Sequence, residues 1–162
     1  GKNKLPKDKT LYDYCFDLEK FQWYPWDKLV GDYVAPVPFE FSKVMVPTID
    51  TVRNTYFLDH LVGTKQSILF VGESGTAKSI IIQNYLSSCN SEKFSTASIN
   101  FSSRTTSLDL QKNLMDNIEK RGPVWLPPNG KQLLVFIDDL NMPNVDIYGT
   151  QQPIALLKLL VE

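Results

Sequence analysis

The stretch Gly72-Glu-Ser-Gly75-Thr76-Ala77-Lys78-Ser79 decides the fold, because it joins two apolar segments of different periodicity. Residues 67–71 before it read Ser-Ile-Leu-Phe-Val, a short apolar run that predicts a buried strand. Residues 78–88 after it predict a helix with one apolar face. A glycine-bearing turn between a strand and a helix directs backbone N–H groups at an anion, and the helix N-terminus adds about half a positive charge. The stretch therefore predicts a phosphate-binding turn.

Lys78 and Ser79 give this turn its specific chemistry. A lysine at this position reaches the β- and γ-phosphates of a nucleoside triphosphate, and the next hydroxyl binds Mg²⁺. Ala77 stands where the pattern G-x-x-x-x-G-K-[ST] has its second glycine, so either the backbone there suits alanine or Gly75 supplies the flexible position. We predict a metal ligand in Ser79 and nucleotide contacts from Gly72, Glu73, Ser74, Gly75, Thr76, Ala77, Lys78, Ser79 and Ile80.

A second apolar run, residues 133–137, ends in Asp138-Asp139. An acid at the carboxyl end of a buried strand is where P-loop proteins hold Mg²⁺, and ligands of open α/β sheets bind at that end. We predict that Asp138 serves the metal through a bound water. Asp139 is the predicted catalytic residue, which orients the attacking water. The alternative is that the lysine and the two aspartates lie on unrelated surface turns.

The whole-chain composition is that of an ordinary globular domain. The chain has 162 residues, with 43% hydrophobic and 22% charged residues and a formal net charge of −1. Without a basic field, nucleic acid is not an expected partner, and no apolar run approaches the roughly 20 residues of a membrane span. Cys15 and Cys89 are too few for a disulfide framework, so a reducing compartment is expected. The N-terminus has no signal-peptide core, and its glycine indicates a fragment of a longer chain.

Two parts of the chain differ in composition. Residues 1–40 are rich in aromatic residues and prolines. Short strands or a hairpin with a turn near Gly31-Asp32 fit the region better than a helix. The aromatic side chains form either a platform for stacking bases or a patch against a neighbouring domain. The low basic charge favours the patch. Residues 41–162 are predicted to be the nucleotide-binding domain.

Strands and helices alternate in that domain, which predicts an α/β fold with a parallel sheet and right-handed crossovers. A helix should begin near Asp50 or Thr51 and run to about Leu61, with His60 as a surface residue near its end. Residues 94–101 predict a strand, residues 122–130 a loop or small hairpin, and residues 154–162 a last helix. A further helix should start at Ser107 or Asp109. The predicted buried positions of the two helices are Val52, Tyr56, Phe57, Leu61, Val62, Leu108, Leu110, Leu114, Met115 and Ile118.

Several stretches together resemble one family, the third AAA+ module of axonemal dynein heavy chains. They are Val46-Pro-Thr-Ile-Asp-Thr-Val-Arg53, Leu69-Phe-Val-Gly-Glu-Ser-Gly-Thr-Ala-Lys-Ser79, Ile99-Asn-Phe-Ser-Ser103, Phe136-Ile-Asp-Asp139 with Asn141-Met-Pro143, and Tyr148-Gly-Thr-Gln-Gln-Pro153. The resemblance covers roughly residues 41–162, and it implies that residues 1–40 are a connecting segment from a preceding module. It implies a three-layer αβα P-loop NTPase fold of the AAA+ type, here incomplete at the C-terminus. It also implies bound ATP or ADP with Mg²⁺, and an adenine near Val46, Pro47 and Thr48.

The same resemblance implies partners and a location. A dynein module works in a ring with neighbouring AAA+ modules, reaches microtubules through a stalk that lies elsewhere in the heavy chain, and associates with light and intermediate chains. It acts in the cytoplasm on the cytoskeleton, in the axoneme of the cilium, without nucleic acid or membrane. The third module is implied to regulate ATP-driven microtubule movement.

The sequence departs from the family in its acidic pair, because AAA+ modules commonly have Asp-Glu where this chain has Asp138-Asp139. Asp139 is one methylene shorter, and a misplacement of that size costs on the order of 100-fold in rate. A module that binds nucleotide without hydrolysing it is therefore one alternative. The strand that separates residues 67–71 from residues 133–137 in AAA+ sheets is expected after residue 162. None of Arg53, Arg104 and Arg121 matches the arginine finger.

A small self-contained P-loop kinase is the remaining alternative. It predicts that residues 67–71 and 133–137 form neighbouring, directly paired strands. It also needs an acceptor-substrate site, and no motif in the sequence indicates one.

Overall fold

The computed structural model describes residues 10–17, 19–33 and 44–161. It divides into two compact units, Gly1–Ile81 and Ile82–Glu162. The predicted boundary between a connecting segment and a nucleotide-binding domain, at residues 40 and 41, lies outside the described residues.

A small antiparallel hairpin opens the first unit. After a 3₁₀ turn at Leu11–Asp13, strand β1 (Tyr14–Asp17) pairs with β2 (Gln22–Pro25). The expected hairpin is present, but its predicted turn near Gly31-Asp32 is wrong. The chain reverses after Asp17, whose Oδ1 accepts from the backbone N–H groups of Glu19 and Lys20 at 2.9 and 3.0 Å. An aspartate that binds the backbone a few residues on favours a turn at its own position.

The aromatic segment packs against a helix of its own unit. That helix, α1 (Ile49–Gly63), contacts the 3₁₀ turn Trp26–Leu29 that follows β2. The Trp26 side chain is 3% exposed, its Nε1 donates to the Tyr12 carbonyl at 3.0 Å, and its ring centroid lies 5.3 Å from that of Tyr56 and 6.2 Å from that of Phe57. Trp26 therefore connects the hairpin region to α1.

Helix α1 starts earlier and buries different residues than the sequence predicted. Thr48, not Asp50 or Thr51, is the N-cap, and its Oγ1 accepts from the Thr51 N–H at 3.2 Å. The helix ends at Gly63, where a stop was expected, and His60 is exposed. Of its residues, Thr51 and Leu58 are buried. The aromatic pair expected on the buried face, Tyr56 and Phe57, is 40% and 48% exposed; the Tyr56 ring packs edge-to-face on Trp26 and the Phe57 ring packs on it at a tilt of 57°.

Residues 67–71, the expected strand before the turn, belong to no strand ladder among the described residues. Leu69 and Val71 are 71% and 84% exposed. That prediction is wrong for this structure, and the reason is pairing. An apolar run becomes a strand only where a second strand accepts its backbone hydrogen bonds and a core covers its side chains.

Helix α2 (Lys78–Ser88) has the bounds that the sequence predicts and leads to β3 (Phe94–Asn100). In the second unit β3 pairs in parallel with β6 (Gln132–Asp138), in a register that runs from Phe94↔Gln132 to Asn100↔Asp138. The connection holds α3 (Ser107–Met115) and a hairpin of β4 (Glu119–Arg121) and β5 (Val124–Leu126). A 3₁₀ turn follows at Pro128–Gly130, and α4 (Gln152–Val161) comes last. Parallel pairing across a helical crossover confirms the α/β class.

The core of the second unit lies where α3 and α4 meet the β3–β6 pair. It is formed by Ile99, Phe101 and Leu110 with partly buried Leu114, Ile137, Leu140, Leu156 and Leu157. Leu110 has no exposed surface, whereas the expected core residues Leu108 and Met115 are 73% and 41% exposed. Residues two apart on a helix face different sides, so α3 cannot bury both Leu108 and Leu110 against one layer. In the described part of the chain, no helix combines the length and the hydropathy needed to cross a bilayer.

Candidate functional site

The turn that precedes α2 contains two left-handed backbone positions. Gly75 has φ of +81° and Ala77 has φ of +61°. The sequence left open whether Gly75 or the second glycine position would carry the unusual backbone, and the structure uses both. Alanine pays a steric cost in this region that glycine does not. Ala77 therefore keeps the conformation that the pattern requires of a glycine.

The Lys78 ammonium folds back into the turn. Its Nζ donates to the carbonyl oxygens of Gly72 at 3.0 Å and Glu73 at 2.5 Å, and to Thr76 Oγ1 at 3.1 Å. Thr76 Oγ1 in turn donates to the Glu73 carbonyl at 2.8 Å. These contacts place a positive charge inside a loop of backbone groups at the start of a helix, which is the arrangement expected of a phosphate site.

The remaining residues of the predicted phosphate site differ in exposure. Residues 72–77 are exposed, Lys78 and Ser79 are half-buried, and Ile80 is 47% exposed. Ile81 is 2% exposed and anchors the start of α2, where its N–H donates to the Ala77 carbonyl at 3.0 Å. Residues 72–77 are therefore accessible to a ligand, while buried Ile81 fixes the start of the helix.

The predicted adenine stretch borders a small apolar pocket. The pocket has a volume of about 190 Å³ and is lined by Met45, Pro47, Thr51, Val52 and Thr55. Of the three predicted residues only Pro47 lines it; Val46 is 55% exposed and Thr48 caps α1. A mainly apolar pocket of this kind can contact the face of a flat ring. Both the pocket and the turn belong to the first unit.

The acidic pair ends β6, as the sequence predicts. Asp138 is the last strand residue and is half-buried, and its carbonyl accepts from the Phe101 N–H at 3.0 Å. Asp139 is exposed with φ of +53°, and its N–H donates to Asp138 Oδ1 at 3.1 Å. The left-handed backbone of Asp139 ends the extended conformation of β6 directly after Asp138.

Asn100 is not among the site residues that the sequence predicts, although it lies in one of the stretches that resemble dynein. It ends β3 directly opposite Asp138 in the parallel register and is exposed. Side chains of register partners on neighbouring parallel strands lie on the same side of the sheet. An amide beside a carboxylate at the carboxyl edge can bind water or a metal-bound oxygen. Its sequence signal was a polar residue closing a strand, which is weak without the pairing.

A rigid loop follows the acidic pair. Asp146 Oδ1 accepts from the N–H groups of Tyr148 and Thr150, each at 2.9 Å, and Gln151 Nε2 donates to the carbonyls of Asn141 and Pro143 at 3.1 and 2.7 Å. The hydrogen bond from the Thr150 backbone, with those from Tyr148 and Gln152, lowers the pKa of Asp146 below its usual range. The Asp146 carboxylate thus links the backbone of residues 146–150 through two hydrogen bonds.

Within the described ranges, no group of three or more histidine, cysteine, aspartate or glutamate side chains could hold a metal ion. Mg²⁺ in nucleotide sites is typically held by one or two protein oxygens together with phosphates and waters. Ser79 and Asp138 each carry a side-chain oxygen of the type that Mg²⁺ takes as a ligand.

The family that matches this chain is the P-loop containing dynein motor region, over residues 33–162. The chain belongs to that family. A parallel β3–β6 pair with an acid at its carboxyl end and a lysine-bearing turn before a helix are both expected of it. The resemblance to dynein heavy chains that the motifs predict is therefore confirmed.

Three proteins similar to this chain are named as dynein heavy chains. The chain is 53% identical over 154 residues to dynein axonemal heavy chain 10 of Homo sapiens, which covers 94% of this chain and 3% of that protein. It is 52% identical over 155 residues to the dynein-1-alpha heavy chain of the flagellar inner arm I1 complex of Chlamydomonas reinhardtii, with 95% and 3% covered. Dynein axonemal heavy chain 2 of Homo sapiens is 39% identical over 160 residues. The chain thus spans about 3% of the length of the first two relatives.

Proposed function

We propose that this chain is a nucleotide-binding AAA+ module, the third, of a ciliary dynein heavy chain, and that it contributes to or regulates ATP-driven microtubule movement. The observation that carries the proposal is the placement of Lys78 inside a turn with two left-handed residues, in a chain of the dynein P-loop family. The names of its axonemal and flagellar relatives support a place in the axoneme. Neighbouring modules, microtubules, and light and intermediate chains are the proposed partners.

In the proposed complex, the turn of residues 72–79 binds the phosphates of ATP or ADP. Lys78 supplies a positive charge to the β- and γ-phosphates, and Ser79 and Asp138 hold Mg²⁺, the latter through water. The adenine packs on the apolar pocket at Pro47. Mg²⁺ neutralises charge on the phosphates, and Asp139 orients the attacking water.

A module that keeps its nucleotide without fast hydrolysis is the second candidate. The favouring observation is Asp139, which is shorter than the usual glutamate and whose left-handed backbone turns it out of the line of β6. Such a geometry lengthens the distance from a carboxylate to the attacking water, and positioning errors of about 1 Å cost on the order of 100-fold in rate. Turnover in the intact heavy chain separates the two candidates.

The kinase alternative has little support. It requires that residues 67–71 pair directly with β6, whereas in the described part of the chain those residues belong to no strand ladder and β6 pairs with β3. A β3–β6 pair fits both proposals, so the family match, and not the strand order, favours the AAA+ module.

The proposal is tested by replacing Lys78 with alanine in the intact heavy chain. Lys78→Ala removes a charge-assisted contact to phosphate and should raise the ATP concentration for half-maximal protection of residues 72–81 about tenfold or more. Hydrogen–deuterium exchange, read on that peptide, reports this site separately from the other nucleotide sites of a dynein. Lys112→Ala, which removes an exposed lysine from α3, serves as the matched control. An unchanged half-saturation in Lys78→Ala would overturn the phosphate site.

A further inference from the structure

Thr76 occupies a position of the phosphate-turn pattern that accepts any residue, yet its hydroxyl makes two hydrogen bonds. It donates to the Glu73 carbonyl at 2.8 Å and accepts from Lys78 Nζ at 3.1 Å. A hydroxyl has one proton to donate and lone pairs to accept with. Because its proton goes to Glu73, the oxygen presents a lone pair to the lysine.

The three donors of Lys78 are matched by three acceptors. An ammonium carries three N–H donors and no acceptor. Gly72 O lies at 3.0 Å, Glu73 O at 2.5 Å and Thr76 Oγ1 at 3.1 Å. Two of these acceptors are backbone carbonyls of the turn itself. A phosphate oxygen can therefore gain a hydrogen bond from this ammonium only by replacing one of the three.

Thr76 is the acceptor that a phosphate replaces most easily. Its contact is the longest of the three, and a neutral hydroxyl is a weaker partner for a cation than an anionic phosphate oxygen. The hydroxyl is also carried by an exposed side chain, whereas the carbonyls of Gly72 and Glu73 cannot leave without a change of the turn. The two carbonyl contacts keep the ammonium in place during the exchange.

We propose that Thr76 is a positioning residue whose hydroxyl competes with a phosphate oxygen for the third N–H of Lys78. The proposal rests on the phosphate role of Lys78 in the proposed function. The affinity for nucleotide then depends on how much more favourably a phosphate oxygen accepts from this N–H than the Thr76 hydroxyl does. Removal of the hydroxyl should therefore tighten nucleotide binding, because the two carbonyls still orient Lys78.

The contact between Thr76 and Lys78 is tested by amine labelling of Lys78 in the intact heavy chain without added nucleotide. The reagent is N-hydroxysuccinimide acetate, and the labelling is read by peptide mass spectrometry. Thr76→Val replaces the hydroxyl by a methyl of similar size and should raise the labelling rate of Lys78. Thr76→Ser should restore the slower rate. The matched control is Thr64→Val, which removes an exposed hydroxyl that donates to the His60 and Leu61 carbonyls. Equal rates in Thr76→Val and the unaltered chain would overturn the proposal.

Binding gives the second readout, by exchange protection of residues 72–81 at graded ATP concentrations. Thr76→Val should lower the half-saturating concentration about two- to fivefold, the size of a modest hydrogen bond, and Thr76→Ser should reverse the change. In a Lys78→Ala background, Thr76→Val should have no effect. Weaker binding by Thr76→Val, or an equal effect in both backgrounds, would overturn the role of Thr76. If Lys78→Ala alone left binding unchanged, the phosphate site itself would be refuted instead.

Discussion

Two non-glycine residues of the candidate site keep a left-handed backbone, Ala77 with φ of +61° and Asp139 with φ of +53°. For alanine this region costs about 1–2 kcal/mol, whereas aspartate tolerates it better because its short polar side chain can form local hydrogen bonds. Such positions concentrate where the chain must aim backbone groups or side chains at a ligand. Ala77 directly precedes Lys78, the predicted phosphate ligand, and Asp139 is itself the predicted catalytic residue.

Ala77→Gly should stabilise the nucleotide-free turn. The substitution relieves the left-handed strain, and the extra freedom of glycine in the unfolded chain offsets part of the gain, so we expect about 0.5–1 kcal/mol. The opening free energy of residues 72–81, from native-state hydrogen exchange of the intact heavy chain, measures it. Gly75→Ala at φ of +81° is the matched reverse and should destabilise the same peptide. Loss of protection in Ala77→Gly would contradict the strain at this position.

Substitutions of Asp138 and Asp139 should have different effects, because we assign Asp138 to the metal and Asp139 to the attacking water. Asp138→Asn should weaken nucleotide binding in Mg²⁺ and not in its absence. Asp139→Asn should leave binding intact and lower any turnover at this site. The measurement is exchange protection of residues 72–81 with and without Mg²⁺, beside single-turnover hydrolysis. The same binding defect in both variants would contradict the division of roles, and faster turnover in Asp139→Glu would support slow hydrolysis.

At the scale of the element, a capping box determines where α3 begins. Thr106 Oγ1 accepts from the Asp109 N–H at 3.2 Å, and Asp109 Oδ2 accepts from the Thr106 N–H at 2.9 Å. This reciprocal capping box holds the first turn, and the Thr106 backbone and hydroxyl bonds lower the pKa of Asp109. With the start of the helix set, Leu110 and Leu114, four residues apart, share the face that meets α4.

Leu110→Ala should destabilise the second unit by about 2–5 kcal/mol, because it removes a fully buried side chain and leaves a cavity. Leu108→Ala is the matched control in the same helix; its side chain is 73% exposed, and we expect a change within about 0.5 kcal/mol. Chemical denaturation of the purified chain, followed by circular dichroism, compares the two. Similar losses in both variants would contradict the orientation of α3.

At the scale of the whole molecule, large apolar side chains face solvent in both units. Val71 is 84% exposed, Ile147 91% and Tyr148 84%. Contiguous apolar surface marks interaction sites. Among the described residues β6 pairs with β3 alone. We propose that other parts of a longer heavy chain cover these surfaces.

Val71→Lys distinguishes the 162-residue chain from the intact heavy chain. In the 162-residue chain the side chain is exposed, so the substitution should leave the thermal midpoint unchanged and should reduce self-association in light scattering. In the intact heavy chain, where we expect residues 67–71 to form a buried strand, it should abolish ATP protection of residues 72–81. Identical behaviour of Val71→Lys in the two settings would contradict the proposed strand.

We also expect the 162-residue chain to hydrolyse ATP slowly, since loss of an arginine finger alone costs roughly 10³–10⁵ in rate.

The features that the sequence alone determined are local. The turn at residues 72–79, the bounds of α2, the acidic end of β6 and the stop of α1 at Gly63 depend on glycine, capping and periodicity within a few residues. The tertiary structure decided the features that need a distant partner: the unpaired state of residues 67–71, the burial of Leu110 instead of Leu108, and the placement of Asn100 beside Asp138. The physical reason is that strand pairing and side-chain burial are free energies of contact between segments far apart in the chain, which local patterns do not contain.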